Sequence, residues 1–321
     1  MYTVLVLMST YNGEKYIDEQ MQSLLAQEEV NLHILVRDDG SKDNTLERLS
    51  HWESQYPNHI TTMLASNIGV VRSFFELIEQ CPDQYDYYAF CDQDDVWLST
   101  KLISAIHKLN AHSKLSTELS NEQADTRPLM YCSTTQMTDE ALNPTKLWPP
   151  MPEKRLSPYN ALIENVCVGC TMLMNREAML LIKQQMPKQV DKVIMHDWWV
   201  YLSVSCFGEV VFDEKSYILY RQHQHNALGG ATDRLFSKWV KRIKRFIKGK
   251  NRYILSIQAD EFMATFGERV KPTYQQDINN FLRAYRKGPV RRLQYILQTP
   301  FYRQSASDHF IFKLVYIMGK L

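Results

Sequence analysis

Tyr87-Tyr88-Ala89-Phe90-Cys91-Asp92-Gln93-Asp94-Asp95-Val96-Trp97 joins an apolar run to a knot of three carboxylates. Carboxylates packed this closely repel one another, and each gains from a shared cation. A strand that ends in D-x-D-D reads as a site for a hard divalent ion, Mg²⁺ or Mn²⁺, which also holds the phosphates of a nucleotide. The same residues suit a solvated acidic turn that caps the helix beginning near Ser99. The neighbouring segments decide between the two.

Upstream, β-rich runs at Tyr2–Ser9, Leu32–Arg37, Ile60–Leu64 and Tyr87–Cys91 alternate with helical patterns. Ile17, Met21, Leu24 and Leu25 share one helical face; Asn44 with Glu47 three residues on has capping-box spacing; Val70 to Glu79 follows the turn Ser66-Asn67-Ile68-Gly69. This alternation predicts an α/β fold, a mostly parallel mixed sheet flanked by helices. Thr10-Tyr11-Asn12, Asp38-Asp39 and Asp92–Asp95 then all fall at carboxyl ends of strands, the edge where open α/β sheets bind ligands. The β signal returns at Leu129–Ser133, Thr171–Met174, Glu209–Phe212 and Tyr217–Tyr220. Residues 112–127 read as a polar surface loop, and residues 144–158, with five prolines, as a loop or lid.

The 321 residues suffice for one large α/β domain, alone or with a smaller one. No apolar run reaches eighteen residues, which argues against a spanning helix, and the first residues read as a strand rather than a secretion signal. Six cysteines form no disulfide framework, and Cys167-Val168-Gly169-Cys170 is a lone C-x-x-C. A reducing cytoplasm is the expected setting. The net charge of +1 hides a division: from Arg234 onward 19 Lys+Arg face 5 Asp+Glu, hence +14, which leaves 18 against 31, hence −13, before it. We therefore divide the chain into a domain over residues 1–230 and a basic helical extension over residues 231–321.

Several later segments carry chemistry. In His196-Asp197-Trp198-Trp199 an acid stands among aromatic rings, surroundings that raise a carboxylate's pKa towards that of a general base and suit sugar faces; a helix N-cap is the plain alternative. After a short strand, His223 suits a metal shell and Arg221 a phosphate, unless both are simply surface loop residues. Asp38 and Asp39 offer a carboxylate to a pyrimidine N–H, or else ordinary turn chemistry. Asn67 and Arg72 flank Gly69, which permits a tight turn, and Arg72 has the reach for a base or diphosphate. From Arg234 to Arg252, Leu235, Phe236, Trp239, Val240, Ile243, Phe246 and Ile247 recur at helical spacing opposite a basic face. That pattern favours an anionic membrane surface over docking on the main domain, and both over nucleic acid.

In order along the chain, Met8-Ser9-Thr10-Tyr11-Asn12-Gly13, Arg37-Asp38-Asp39-Gly40-Ser41, the D-x-D-D-V-W segment, His196-Asp197-Trp198-Trp199 and Tyr220-Arg221-Gln222-His223 resemble the family 2 glycosyltransferases of GT-A fold. The resemblance spans roughly residues 1–230 and is greatest to bacterial rhamnosyltransferases of cell-wall rhamnan assembly. It implies a single inverting displacement that carries a sugar, best L-rhamnose from dTDP-β-L-rhamnose, to a hydroxyl of a lipid-linked polysaccharide acceptor. Asp197 would be the catalytic base. Thr10, Tyr11, Asn12, Asp38, Asp39, Asn67, Arg72, Asp92, Gln93 and Arg221 would bind the donor, and Asp94 and His223 the Mn²⁺ or Mg²⁺ cofactor. Asp95, Trp97, Gly169, Cys170, His196, Trp198 and Trp199 complete the sugar and acceptor pocket. His196 departs from the family pattern, where a Glu usually precedes the base. Such an enzyme would sit peripherally on the inner face of the plasma membrane. The rivals are transfer from a UDP-hexose, such as UDP-glucose or UDP-galactose, a nucleotidyltransferase, and a non-catalytic, membrane-associated sugar-binding module. A nucleotidyltransferase should carry a Gly-rich basic loop after the first strand, which Ser9-Thr10-Tyr11-Asn12-Gly13 is not.

Overall fold

β1 (Tyr2–Thr10) is the spine of the molecule, paired in parallel with β2 (Val30–Asp38) on one side and β4 (Tyr87–Cys91) on the other. The computed structural model describes residues 1–120, 127–223 and 254–321. Between these strands run α1 (Ile17–Leu25), α2 (Thr45–Gln55), β3 (Ile60–Leu64) and α3 (Val70–Gln80). Then come β5 (Val96–Trp97), α4 (Lys101–Ser120), β6 (Leu129–Ser133), β7 (Thr135–Thr138), β8 (Pro144–Trp148), α5 (Pro158–Ala161), β9 (Leu173–Asn175) and α6 (Arg176–Gln184). The chain continues through α7 (His196–Phe207), β10 (Glu209–Asp213) and β11 (Ile218–Arg221) to four C-terminal helices, α8 (Ile254–Phe266), α9 (Pro272–Arg286), α10 (Pro289–Ile296) and α11 (Ala306–Ile317).

The main sheet runs β10-β6-β9-β4-β1-β2-β3, and only β9 is antiparallel to its neighbours. Alternation along β1 explains why both faces are covered: Val4, Val6 and Met8 enter one core, Leu5 and Leu7 the other. A smaller sheet, β5-β11-β7-β8, brings the acidic segment against the strand that precedes His223. The strands expected from sequence all form, most within a residue or two of the expected ends.

Three expectations fail locally. α4 continues to Ser120, past the point where a loop is expected, because a polar stretch without Gly or Pro can extend an anchored helix. The proline-rich stretch contains β8, exposed along its length, which pairs with β7 as an edge strand, where proline is tolerated. Asn44 makes no side-chain cap; Asp43 accepts the bond from the Thr45 N–H at 3.1 Å instead.

α8 to α11 share one hydrophobic core with the main sheet, so the change of character near residue 230 does not separate two cores. Trp199 is the seam, with ring centroids 5.8 Å from Phe262 and 6.0 Å from Phe266. Burying each such ring contributes roughly 2 kcal/mol. The amphipathic stretch from Arg234 to Arg252 lies outside the described residues. Among the described helices none is long and apolar enough to cross a membrane.

Candidate active site

Because β1, β2 and β4 run parallel, Thr10, Asp38 and Cys91 end at one edge, with Thr10 opposite Asp38 and Met8 opposite Cys91. Local chemistry then knits the turns. Asp38 is buried, and its oxygens accept from the Gly40 and Ser41 N–H groups at 3.0 and 2.8 Å and from the Thr10 and Ser41 hydroxyls at 3.0 and 2.5 Å. A carboxylate accepts about four hydrogen bonds, so these saturate Asp38 and tie it to the turn. Asp39 holds the Arg37 guanidinium at 2.6 Å and the N–H groups of Ile68 and Gly69 at 2.8 and 2.9 Å, which leaves it room for one more. Gly69 takes φ 85°, a conformation suited to glycine, and Asn67 is exposed beside it.

Gln93 and Asn12 stitch the edge together. The Gln93 side chain accepts from the Tyr11 N–H at 2.8 Å and donates to the Tyr11 carbonyl at 3.0 Å, which leaves the exposed Tyr11 ring free to face a ligand. Asn12 accepts from the Lys42 N–H at 2.9 Å. Arg72 is exposed and paired: its guanidinium donates to both oxygens of Asp191 at 2.9 and 2.5 Å. Arg221 is also held. It is 3% exposed and donates to the carbonyls of Asp94 and Glu140 and to the Glu19 carboxylate, which engages three of its five N–H groups.

The three carboxylates separate by direction. Asp94 meets His223, with Oδ2 2.7 Å from Nε2, and the Tyr16 ring stacks on that imidazole at 4.9 Å. Asp95 is fully buried and accepts from the Arg221 N–H at 3.0 Å, so it supports the turn and lines no sugar pocket. Burial first, then the charge of Asp94 and of Asp197, pushes Asp92 up to about 7. Lys101, buried with its ammonium 3.3 Å from the Trp97 ring centroid, is lowered to about 8 by burial against the pull of nearby acids. One donor atom each from Asp92, Asp95 and Cys170 lies within 4.8 Å of the others, but a sulfur ligand is soft and does not suit the hard cations that carboxylates select. Asp94 and His223, with Asp92 beside them, are the better set: oxygen-rich, with one imidazole and mutual repulsion that a hard cation relieves, they fit Mn²⁺ or Mg²⁺.

Asp197 sits in the first turn of α7, where Oδ2 accepts from the Gly169 N–H at 3.1 Å and Oδ1 from the Trp198 N–H at 2.6 Å. Burial raises its pKa to about 6, and hydrogen bonds from the Trp198 N–H, the Asn165 side chain and the Gly169 N–H hold it from going higher. Gly169 makes a close approach: a Cβ there would lie 3.3 Å from both Asp197 Cβ and His196 Nε2, which would have to give by a few tenths of an ångström. The next residue, Cys170, touches the acidic cluster, so one tight turn binds the acid of α7 to the acids after β4. Cys167 does not pair with Cys170; its Sγ lies 2.6 Å from Cys132 Sγ.

The aromatic residues divide. Trp198 is half-buried with its Nε1 donating to the Ala161 carbonyl at 2.6 Å, and it remains available to a ligand. Trp199 is fully buried in the core and Trp97 is 3% exposed beneath Lys101, so neither lines a pocket. His196 stacks on Phe74 at 3.8 Å, and burial lowers its pKa to about 3, so it is a neutral packing residue beside the base. Sequence reasoning missed Gln258 and Glu261 of α8. Both are buried, and they accept from the Ile194 and Gln189 N–H groups at 2.9 and 2.8 Å, holding the loop that leads into Asp197.

This parallel-sheet edge gathers acids, the exposed Tyr11 ring and the buried Asp197 carboxylate. The comparisons give the family. Glycosyl transferase family 2 matches residues 5–180, and the chain belongs to that family. It is 29% identical over 232 residues to dTDP-rhamnosyl transferase RfbG of Shigella flexneri, covering 69% of this chain and 73% of the relative. It is 24% identical over 204 residues to an Escherichia coli UDP-Glc:alpha-D-GlcNAc-diphosphoundecaprenol beta-1,3-glucosyltransferase, WfgD, covering 63% and 70%. The crystal structure of S. aureus TarS 1–349 with UDP-GlcNAc superposes with a TM-score of 0.54 at 15% identity, over 98% of this chain and 90% of that one. The fold is thus the GT-A fold, and the chain is a glycosyltransferase.

Proposed function

We propose that the protein transfers L-rhamnose from dTDP-β-L-rhamnose, with inversion, to a hydroxyl of a lipid-linked glycan at an anionic membrane surface. The observation that carries this reading is Asp197: a buried carboxylate with a pKa of about 6 stands within electrostatic reach of Asp92 at one sheet edge. In the reaction Asp197 takes the proton of the acceptor hydroxyl, the acceptor oxygen bonds to the anomeric carbon, and the bond to the diphosphate breaks on the opposite face. A divalent ion, when bound, neutralises charge on the departing diphosphate. Asp94 and His223 hold that ion, Asp92 faces the ribose, and Thr10, Tyr11, Asn67 and Asp39 receive the nucleoside. Trp198 offers its ring to a sugar. Asp95, Trp97, Gly169, Cys170, His196 and Trp199 shape the site from behind.

The rhamnosyl donor is favoured by the dTDP-rhamnosyl relative, and a lipid-linked acceptor by the diphosphoundecaprenol named for the second. That relative uses UDP-glucose, so the donor is tested directly. Incubation with dTDP-, UDP- and GDP-sugars and Mn²⁺ should release dTDP from dTDP-rhamnose fastest. Preferential release of UDP from UDP-glucose would reassign the donor.

A further inference from the structure

We propose that α10 and α11 form a membrane-docking face whose partner is an anionic lipid bilayer. A helix that packs one face on a core normally turns polar residues outward. These two do not. α10 buries Ile296 but exposes Val290, Leu293 and Leu297, which is the cap after its last turn, at 69%, 47% and 68%. α11 buries Ile311, Phe312, Val315 and Tyr316, yet exposes Phe310, Leu314 and the cap residue Met318 at 57%, 43% and 47%. The spacings i, i+3, i+7 and i, i+4, i+8 make each set a continuous stripe, and the two helices pack side by side. Six of the eighteen large apolar residues exposed among the described residues are on these two short elements, too concentrated for the usual scatter of surface apolar groups.

Charge selects the partner. From Arg283 to the last residue there are eight Lys and Arg but one acid, Asp308. Arg283, Lys287 and Arg291 line a groove between α9 and α10, and all three are exposed. Apolar stripes flanked by cations match an acyl boundary under anionic headgroups, where Lys and Arg meet phosphate and the apolar side chains leave water. A second copy of this chain would bring the same cations against each other, which like-charge repulsion disfavours. The surface deepens the membrane part of the proposed function and lies outside the stretch 234–252 in sequence.

The test is co-sedimentation of the full chain with phosphatidylcholine vesicles, with and without phosphatidylglycerol, alongside nucleoside diphosphate release in vesicle-free buffer. Binding should need phosphatidylglycerol and fall with added salt. Lys287→Ala with Arg291→Ala should weaken it about 25-fold, at about fivefold per charge. Leu297→Ser with Leu314→Ser should weaken it at least about tenfold. All four positions are exposed and away from the site, so vesicle-free turnover should stay at the wild-type level and report an intact fold. Wild-type vesicle binding by both double variants overturns the proposal, whatever the stretch 234–252 contributes. So does a concentration-dependent dimer abolished by Leu297→Ser with Leu314→Ser, which would make a second copy the partner. Turnover without vesicle binding refutes this inference alone; vesicle binding without turnover on any sugar nucleotide refutes the donor reading alone.

Discussion

Asp197→Asn changes one atom and should separate the two costs that the buried acid imposes. The carboxyl is raised from 3.8 to about 6, because burial disfavours its charged form more than the Trp198 N–H, the Asn165 side chain and the Gly169 N–H favour it. A carboxylate whose folded pKa lies above its unfolded one costs stability at high pH. The cost is absent below about pH 4, grows as pH rises through the window to 6 and is complete above it. Two pKa units correspond to about 3 kcal/mol at neutral pH. Asn carries no charge but keeps one acceptor oxygen, so one of the two N–H groups loses its partner, at about 1–3 kcal/mol. The variant should therefore melt close to the wild type at pH 7 while losing about 10²–10⁴-fold in kcat, the range for a general base. In the wild type, kcat/KM for the acceptor should fall tenfold per pH unit below about 6, and in Asp197→Asn that acid limb should vanish from the residual rate. A pH-rate profile with continuous dTDP detection measures both. Residual activity within threefold of wild type, or an acid limb that persists in the variant, would refute the assignment of the base.

Asp94→Asn and His223→Ala should each weaken Mn²⁺ binding, read by electron paramagnetic resonance on the protein alone, by at least about tenfold, since the pair sits at 2.7 Å and each supplies one ligand. Trp198→Ala should raise the acceptor KM with little change in stability, whereas Trp199→Ala, at the seam with Phe262 and Phe266, should cost about 3–5 kcal/mol in urea unfolding. Glu261→Ala should lower kcat about tenfold or more at nearly unchanged donor KM, because it frees the 189–195 loop without touching the nucleotide edge, and Glu261→Gln should restore most of it.

What the sequence made legible follows a pattern. The strands of the first half, and the convergence of Thr10, Asp39 and Asp92–Asp95 on one edge, come from period-two burial and from acids placed just after strands, both of which are local signals. The Asp94–His223 pair, 129 residues apart, was legible because each residue follows the end of a strand by two or three positions. Saturation was not. Asp38 and Arg221 look like ligand-binding groups until their partners are counted, and the Thr10 hydroxyl and the Glu140 carbonyl come from distant segments. Trp198 and Trp199 differ by about 100° around α7, so one stays half-buried while the other fills the core, yet which does which depends on where Phe262 packs. Glu261 was invisible because its partner is a backbone N–H 72 residues away, which leaves no side-chain pattern to read.

The central claim, displacement at the anomeric carbon by a hydroxyl that Asp197 deprotonates, is tested most directly by proton NMR of the product made from dTDP-β-L-rhamnose and a diphospholipid-linked sugar acceptor. The account predicts an α-L-rhamnoside formed in step with dTDP release. A β-linked product, or dTDP released with no new glycosidic bond, contradicts it.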